Sequence, residues 1–156
     1  MLKEFKNFVE KNNLIEKGDK ILLALSGGVD SMVLAKLLIL YSQRTSSTVN
    51  SQSQCHLSFA HCNFHLRGDD SNRDEKFVTE FAEENKIPIY IQHFDTESYA
   101  KENSLSIEMA ARELRYSWFE ELKDINNFTK VALAHHGDDQ IETFLINILR
   151  GSGIDR

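Results

Sequence analysis

Cysteine is scarce in this chain, and its two cysteines are poorly placed for joint chemistry. Cys55 and Cys62 are the whole supply among 156 residues, and they are not spaced as Cys-x-x-Cys. Two cysteines are too few for a disulfide framework, and their spacing does not indicate a zinc or redox pair. We therefore expect two free thiols and exclude a secreted disulfide scaffold.

Long apolar runs are also missing. No stretch approaches the roughly 18 apolar residues of a membrane-spanning helix. The first six residues mix charged side chains with phenylalanine instead of forming the apolar stretch of a signal peptide. These two features predict a cytoplasmic protein.

The chain has fewer basic than acidic residues. Lysine and arginine number 18 against 24 aspartates and glutamates, which gives a formal net charge of −6. Non-specific affinity for nucleic acid comes mostly from lysine and arginine side chains that neutralise phosphates. We therefore expect that any nucleic-acid partner needs basic surface from elsewhere.

An alternation of strand and helix patterns runs through the sequence. The composition, 41% hydrophobic and 27% charged, is that of a globular domain. Short apolar runs fit buried strands at residues 21–25, 57–60, 87–91 and 131–134. Helical periodicity appears at residues 2–9, 32–41 and 74–84. This order predicts an α/β fold of three layers, α/β/α, around a mainly parallel sheet.

Polar segments predict two loops. Residues 42–54 are almost all Ser, Thr, Gln and Asn, which predicts a mobile surface loop. Residues 95–103 predict a second loop, leading into a helix capped by Ser104 or Ser106. At residues 150–156 glycine-rich sequence directly follows a helix pattern, so we expect this single domain to continue beyond the chain's last residue.

A glycine-rich segment follows the first predicted strand. It reads Ser26-Gly27-Gly28-Val29-Asp30-Ser31 and is called the glycine loop below. Adjacent glycines allow a tight turn that brings backbone N–H groups close to a ligand, and the following helix N-terminus favours an anion. Asp30 would repel a phosphate unless a divalent cation lay between them, so Mg²⁺ is part of the hypothesis.

Other phosphate motifs are missing from the chain. It has neither Gly-x-x-x-x-Gly-Lys-Ser/Thr nor Gly-x-Gly-x-x-Gly after a strand, which argues against a kinase-type P-loop and a dinucleotide site. A plain strand-to-helix turn, with Asp30 or Ser31 as the N-cap and no ligand, is the alternative interpretation of the glycine loop.

The glycine loop resembles the Ser-Gly-Gly-x-Asp-Ser loop of the PP-loop ATP pyrophosphatase superfamily, which holds the pyrophosphate of ATP in enzymes that adenylate a carbonyl group. Three further segments narrow this resemblance. They are AHCNFHLRGDDS at 60–71, LSIEMAARELRY at 105–116 and AHHGDDQIET at 134–143, the last followed by LRGSG at 149–153. In this order, over residues 20–156, they resemble the N-terminal catalytic domain of the tRNA(Ile)-lysidine synthase family.

One position departs from that family's pattern. Many members have a histidine where this chain has Phe64, and His65 lies one residue later. We therefore assign His65 no catalytic role.

The resemblance implies a fold, a reaction and partners. The fold would be of the adenine-nucleotide alpha hydrolase-like kind. The reaction would be ATP-dependent ligation of lysine to C2 of the wobble cytidine of tRNA(Ile) with a CAU anticodon, through an adenylated tRNA, forming lysidine. ATP and Mg²⁺ would be the cofactors, tRNA(Ile) and L-lysine the partners, and a homodimer stays open. A PP-loop tRNA thiolase and a non-catalytic ATP-binding sensor are the alternatives.

Residue roles follow from this resemblance. The nucleotide would be bound by the whole glycine loop and His61, and Asp30 would hold the metal. The catalytic residues would be Asp30, Arg112, His135 and Asp139. Arg112, with Arg115 as a second candidate, would offset phosphate charge or contact tRNA, and Asp139 would orient or deprotonate the lysine amine.

Each of these assignments has a structural alternative. His61 could be a packed core histidine. His135 and Asp139 could serve helix capping or contribute to a zinc site. Arg112 could form an exposed pair with Glu108 on one helix face.

Overall fold

The computed structural model describes residues 1–43, 55–134 and 149–150 of the chain. In chain order these residues form α1 Leu2–Lys11, β1 Asp19–Ala24, α2 Val29–Gln43, β2 Cys55–Asn63, α3 Asp69–Glu84, β3 Ile89–His93, α4 Thr96–Glu102, α5 Ile107–Asn126, β4 Lys130–Ala132 and β5 Leu149–Arg150. Within these ranges, no helix is both long and apolar enough to span a lipid bilayer.

The strands form one sheet in the order β3-β2-β1-β4-β5. β1 pairs in parallel with both β2 and β4, and β2 pairs in parallel with β3, whereas β5 is antiparallel to β4. Ile21, Leu22 and Leu23 in the central strand are fully buried, as expected for a parallel strand covered on both faces. The predicted mainly parallel sheet is confirmed.

Helices cover both faces of this sheet, which confirms the three-layer architecture. On one face, Phe5 and Val9 of α1 join side chains of α2 and α3 in a core against β1 and β2. On the other face, Trp118 and Phe119 of α5 pack against Leu22 and neighbouring apolar residues. The amphipathic N-terminal helix therefore packs on a face of the sheet.

The prediction of a loop over residues 95–103 is wrong. Thr96–Glu102 form α4, because the Asp95 side chain caps the helix by accepting a hydrogen bond from the Ser98 N–H at 3.2 Å. Of the two predicted caps of the next helix, Ser106 is confirmed: its hydroxyl accepts from the Met109 N–H at 3.1 Å.

The predicted mobile loop lies mainly outside the described residues. Ser42 and Gln43 belong to the last turn of α2, and residues 44–54 are not among those described. The helix pattern itself extends further than periodicity alone indicated, since α2 begins at Val29 and α3 at Asp69.

A buried polar cluster joins the amino-terminal ends of β1 and β4. Lys130 Nζ lies 2.5 Å from Asp19 Oδ2 and donates to the Leu14 carbonyl at 2.7 Å, while the Thr129 hydroxyl donates to Asp19 Oδ1 at 2.8 Å. Burial acts to raise the pKa of Asp19, but hydrogen bonds from Lys130, the Glu16 N–H and Thr129 outweigh it and hold that pKa below the usual 3.8. We call these residues the amino-end cluster.

Candidate functional site

The glycine loop connects the carboxyl end of β1 to the first turn of α2. Gly27 has φ +89°, a left-handed conformation that side-chain-bearing residues rarely adopt. A Cβ atom on Gly27 would lie 3.5 Å from the Oδ1 atom of Asp74 on α3, and one on Gly28 would lie 3.4 Å from the Ser26 hydroxyl. The left-handed φ is therefore what favours glycine at Gly27, whereas a Cβ at Gly28 would make only ordinary contact.

The two serine hydroxyls of the loop hold its shape. The Gly28 N–H donates to Ser26 Oγ at 3.2 Å, the Ser26 hydroxyl donates to Ser31 Oγ at 3.0 Å, and the Ser31 hydroxyl donates to the Gly28 carbonyl at 3.0 Å. Because α2 begins at Val29, Asp30 and Ser31 lie within its first turn and neither is the N-cap. The backbone N–H groups of this first turn have no intrahelical partners, which suits an anion.

A cavity of about 140 Å³ lies beside the loop, at the carboxyl end of the sheet. It is lined by Ala24, Leu25, Ser26, Ser31, Ala60, Cys62, Phe64, Arg115, Phe119, Leu133 and Ala134. These residues come from the ends of β1, β2 and β4, from the first turn of α2 and from α5, so three parallel strands and two helices build a single cavity. The carboxyl ends of parallel strands are the usual ligand site in α/β sheets.

His61 is buried and contacts the backbone directly before the glycine loop. It is 3% exposed, and its Nδ1 lies 2.7 Å from the Leu25 carbonyl, the residue directly before the loop. A carbonyl oxygen only accepts, so Nδ1 carries the proton in this contact. The packed position fits the core-histidine alternative, and a nucleotide contact by His61 stays a prediction.

The two arginines of α5 occupy different positions. Arg115 lines the cavity, with its guanidinium carbon 5.4 Å from the centre of the Phe64 ring. Arg112 is exposed and lies 5.1 Å above the Tyr116 ring, and among the described contacts it has no ion pair with Glu108. Helical periodicity predicts that Arg112 and Arg115 lie near one face of α5. The orientation of α5 about its own axis places Arg115, and not Arg112, at the cavity.

Asp30 lies half-buried in the first turn of α2. Mg²⁺ takes oxygen ligands, and it usually binds through one or two carboxylates together with substrate phosphates and waters. In the part of the chain that the structure describes, no group of three or more His, Cys, Asp and Glu side chains is arranged to hold a metal ion. Among the described residues, Asp30 would therefore need phosphate oxygens and waters to complete the coordination of a Mg²⁺ ion.

Both cysteines are free, as predicted, and both are protonated at neutral pH. Burial raises the pKa of Cys62, at the cavity, to about 12, although the Arg115 charge lowers it in part. Burial also raises the pKa of Cys55 to about 11. Cys55 begins β2 and Cys62 lies near its end, roughly 23 Å away for seven residues of extended strand. The two thiols therefore cannot act on one group.

Sequence reasoning missed a hydrogen-bonded chain at the ends of β2 and β3. His65 Nε2 lies 2.7 Å from His93 Nδ1, and His93 Nε2 lies 3.0 Å from Glu75 Oε2. The same Glu75 oxygen accepts from the buried Asn63 amide at 2.8 Å. The partners lie on three different elements, so no local pattern connects them.

Sequence reasoning also missed an ion pair against the glycine loop. Arg67, in the turn between β2 and α3, contacts the Asp74 carboxylate, and that carboxylate faces Gly27. The Arg67 N–H donates to the Ser71 hydroxyl at 3.2 Å, which fixes the start of the turn against α3. We call Arg67 and Asp74 the loop-side pair.

His135 and Asp139 lie outside the described residues, so their predicted roles stay predictions. Leu133 and Ala134, directly before them in the sequence, belong to the cavity wall. The zinc and capping alternatives for His135 and Asp139 likewise stay open.

A family model for the PP-loop domain matches residues 1–156. The chain is 47% identical over 147 residues to a tRNA(Ile)-lysidine synthase of Bacteroides thetaiotaomicron, 44% over 154 residues to one of Parabacteroides distasonis, and 43% over 152 residues to one of Chlorobaculum tepidum. These alignments cover 94%, 99% and 97% of this chain. They cover 32%, 32% and 44% of the relatives, so the chain spans less than half of their length.

A solved structure shares the fold. It is a U34-tRNA thiolase of Methanococcus maripaludis with its 4Fe–4S cluster, and it matches with a TM-score of 0.67 and 22% identity. The match covers 86% of this chain and 45% of that protein. At this identity the likeness concerns the fold alone.

Proposed function

Because the chain belongs to the PP-loop domain family, as the glycine loop predicted, we propose that this loop holds the pyrophosphate part of ATP. The observation that carries the proposal is the loop's position, with a left-handed glycine at Gly27, beside a cavity at the carboxyl ends of three parallel strands. Asp30 would hold Mg²⁺ on the phosphates, and the ion would offset their charge when bound.

The reaction we propose is that of the lysidine synthase relatives. A carbonyl oxygen at C2 of cytidine is a poor leaving group, so it first bonds to the α-phosphate of ATP and pyrophosphate leaves. The ε-amine of lysine then attacks C2, and AMP departs with the former carbonyl oxygen. The product is lysidine at the wobble position of tRNA(Ile). The enzyme class, a ligase that cleaves ATP to AMP and pyrophosphate, belongs to the same proposal.

This chain's own residues would supply charge and proton transfer. Arg115, at the cavity, is placed to offset charge at the α-phosphate, and the exposed Arg112 is free to approach tRNA. Free lysine has a pKa near 10.4, so its amine must lose a proton before it attacks. Asp139 remains the proposed group that orients the amine or accepts that proton, and His135 remains a proposed catalytic residue.

We propose that most of the tRNA-binding surface belongs to the rest of a longer protein. The chain has a net charge of −6, and its alignments cover 32% to 44% of the relatives' length. Neutralising an RNA backbone requires clustered lysine and arginine. We therefore expect residues 1–156 alone to bind ATP but to modify tRNA poorly.

The test is release of pyrophosphate by the complete gene product, measured with and without tRNA(Ile) and lysine. We expect release to require the tRNA, and radiolabelled lysine to enter it. In Asp139→Asn, label from α-labelled ATP should still reach the tRNA while lysine incorporation falls sharply. Equal loss of both steps would instead assign Asp139 to the metal or the nucleotide.

A thiolase function is disfavoured by the positions of the cysteines. Cys55 and Cys62 lie at opposite ends of β2 with raised pKa values, so they cannot jointly hold a cluster or present a thiolate at the cavity. The same assay separates the possibilities: sulfur incorporation would indicate a thiolase, and ATP binding without tRNA-dependent turnover would indicate a sensor.

A further inference from the structure

The glycine loop itself has no side-chain cation. Residues 21–31, which include the whole glycine loop, contain no lysine, arginine or histidine. P-loop enzymes place a lysine of the loop on the β- and γ-phosphates. Backbone N–H groups and a helix N-terminus supply only about half an elementary charge, and Mg²⁺ and Arg115 are already proposed to offset part of the phosphate charge. A further side-chain cation beside the loop would help to offset the charge of the β- and γ-phosphates.

The loop-side pair provides a side-chain cation near the glycine loop. The Asp74 carboxylate lies 3.5 Å from the position of a Gly27 Cβ, and its other oxygen contacts the Arg67 guanidinium. The Arg67 side chain is 65% exposed, so part of its guanidinium remains open to solvent. A guanidinium has five donors and can hold a carboxylate and a phosphate at the same time.

We propose that Arg67 contacts the β- and γ-phosphates of ATP bound at the glycine loop, and that Asp74 positions it there. The proposal rests on the ATP site proposed above and adds a residue to it. Without Arg67, the Asp74 carboxylate would repel the phosphates from beside Gly27. With Arg67, the pair carries no net charge and presents donors toward the loop.

Neighbouring cations are less well placed. Lys36 of α2 lies with its Nζ 5.3 Å from the centre of the Phe81 ring, and it lines an apolar groove that also reaches Gly27. Arg73 of α3 is 79% exposed and pairs with Asp70 one turn earlier on the helix. Of these cations, Arg67 is the one paired with a carboxylate beside Gly27, whereas the Lys36 ammonium lies over an aromatic ring.

The experiment compares the affinity of three ligands by calorimetry, using the complete gene product with Mg²⁺ and ATP, AMP or inorganic pyrophosphate. In Arg67→Ala, the affinity for ATP and pyrophosphate should fall at least about tenfold, the effect of losing charge-assisted hydrogen bonds. AMP lacks the β- and γ-phosphates, so its affinity should not change. Arg67→Lys should restore part of the loss. Arg73→Ala, the matched control on the next helix, should bind all three ligands like the wild type.

Asp74→Asn tests the positioning role. If Asp74 only repelled phosphate, this variant would bind ATP more tightly. We expect weaker ATP binding, and we expect that weakening to disappear when Arg67 is already alanine. A tighter Asp74→Asn variant would overturn the positioning role.

The inference fails separately from the proposed function. Unchanged ATP affinity in Arg67→Ala, or an equal loss for ATP and AMP, would overturn the role of Arg67. A wild type that binds ATP but ligates no lysine would refute the proposed reaction and leave the Arg67 assignment standing.

Discussion

The two ends of the sheet carry polar clusters of opposite character. At the amino end, Asp19 and Lys130 are each less than 10% exposed, and their charged atoms are enclosed by hydrogen bonds from the protein. At the carboxyl end, Arg67 is 65% exposed and only part of its guanidinium is used, with the glycine loop directly beside its partner.

The contrast separates stability from binding. A buried ion pair whose partners are all satisfied costs much to break, because a lone charge would remain in the interior. An exposed pair contributes about 1 kcal/mol or less to stability, so changing it costs the fold little. Because Arg67 is exposed, its unused N–H donors remain available to a ligand. Changes to the amino-end cluster should therefore affect unfolding, and changes near the glycine loop should affect nucleotide binding.

The largest expected effect follows from Asp19→Asn. It leaves the buried Lys130 ammonium without its carboxylate, so the free energy of unfolding should fall by about 3 kcal/mol while ATP affinity stays the same. Urea denaturation and calorimetry measure the two quantities. The double variant Asp19→Asn with Lys130→Met should recover part of the loss. If ATP affinity fell clearly at a temperature where the variant is folded, the amino-end cluster would affect binding as well as stability, which contradicts this separation.

A matched pair of glycines tests the carboxyl end next. Gly27 and Gly18 have nearly the same left-handed φ, +89° and +88°, and nothing lies within 4 Å of a Cβ on Gly18. Valine at either position should cost roughly 1–3 kcal/mol of stability through backbone strain. Only Gly27→Val should lose ATP binding, by about 100-fold, because Gly27 lies in the proposed phosphate-binding loop and the strained valine would displace the N–H groups that hold the phosphates. Equal ATP affinity in both variants would remove the loop from the site.

Acid should weaken the amino-end cluster in a defined direction. The folded pKa of Asp19 lies below the usual 3.8, so its stabilising contribution is complete well above pH 3.8 and is lost as the pH falls through that value toward the folded pKa. The difference in melting temperature between wild type and Asp19→Asn should therefore be constant near pH 6 and shrink toward pH 3. A gap that stays constant down to pH 3 would contradict the depressed pKa.

The smallest effect concerns a polar contact in neither cluster. Ser106→Ala removes the cap of α5 and should reduce the free energy of unfolding by about 1 kcal/mol. Ser104→Ala, two residues earlier, should be nearly neutral because the Ser106 hydroxyl is the one that accepts from the Met109 N–H. Denaturant unfolding of both variants provides the comparison.

Local patterns in the sequence were enough to predict the fold and the loop. Buried runs such as residues 21–25 identify central strands, and the order of strands and helices leads to a covered parallel sheet. The glycine loop is contiguous, so its chemistry is visible in six residues. The helix over Thr96–Glu102 could not be predicted from its pattern, because it is short and polar. Its cap, Asp95, is also a residue type typical of loops.

Contacts between distant elements could not be predicted in this way. Which arginine of α5 reaches the cavity depends on the rotation of the helix against the sheet, and this favoured Arg115 over Arg112. The position of Asp74 beside Gly27 depends on how α3 packs against the glycine loop, which neither segment encodes alone. The roles of His135 and Asp139 stay predictions.

The central position of β1 has a consequence for how the protein is made. Its hydrogen-bonded neighbour β4 lies far along the chain, with 110 residues separating Asp19 from its partner Thr129. Ribosomes add about 5–20 residues per second, so roughly 5 to 20 s pass between the synthesis of the two strands. Through that interval one edge of β1 has no native partner, and an unpaired edge can recruit strands of other nascent chains. Slower translation between residues 55 and 130 would lengthen this exposure and lower the yield of native protein.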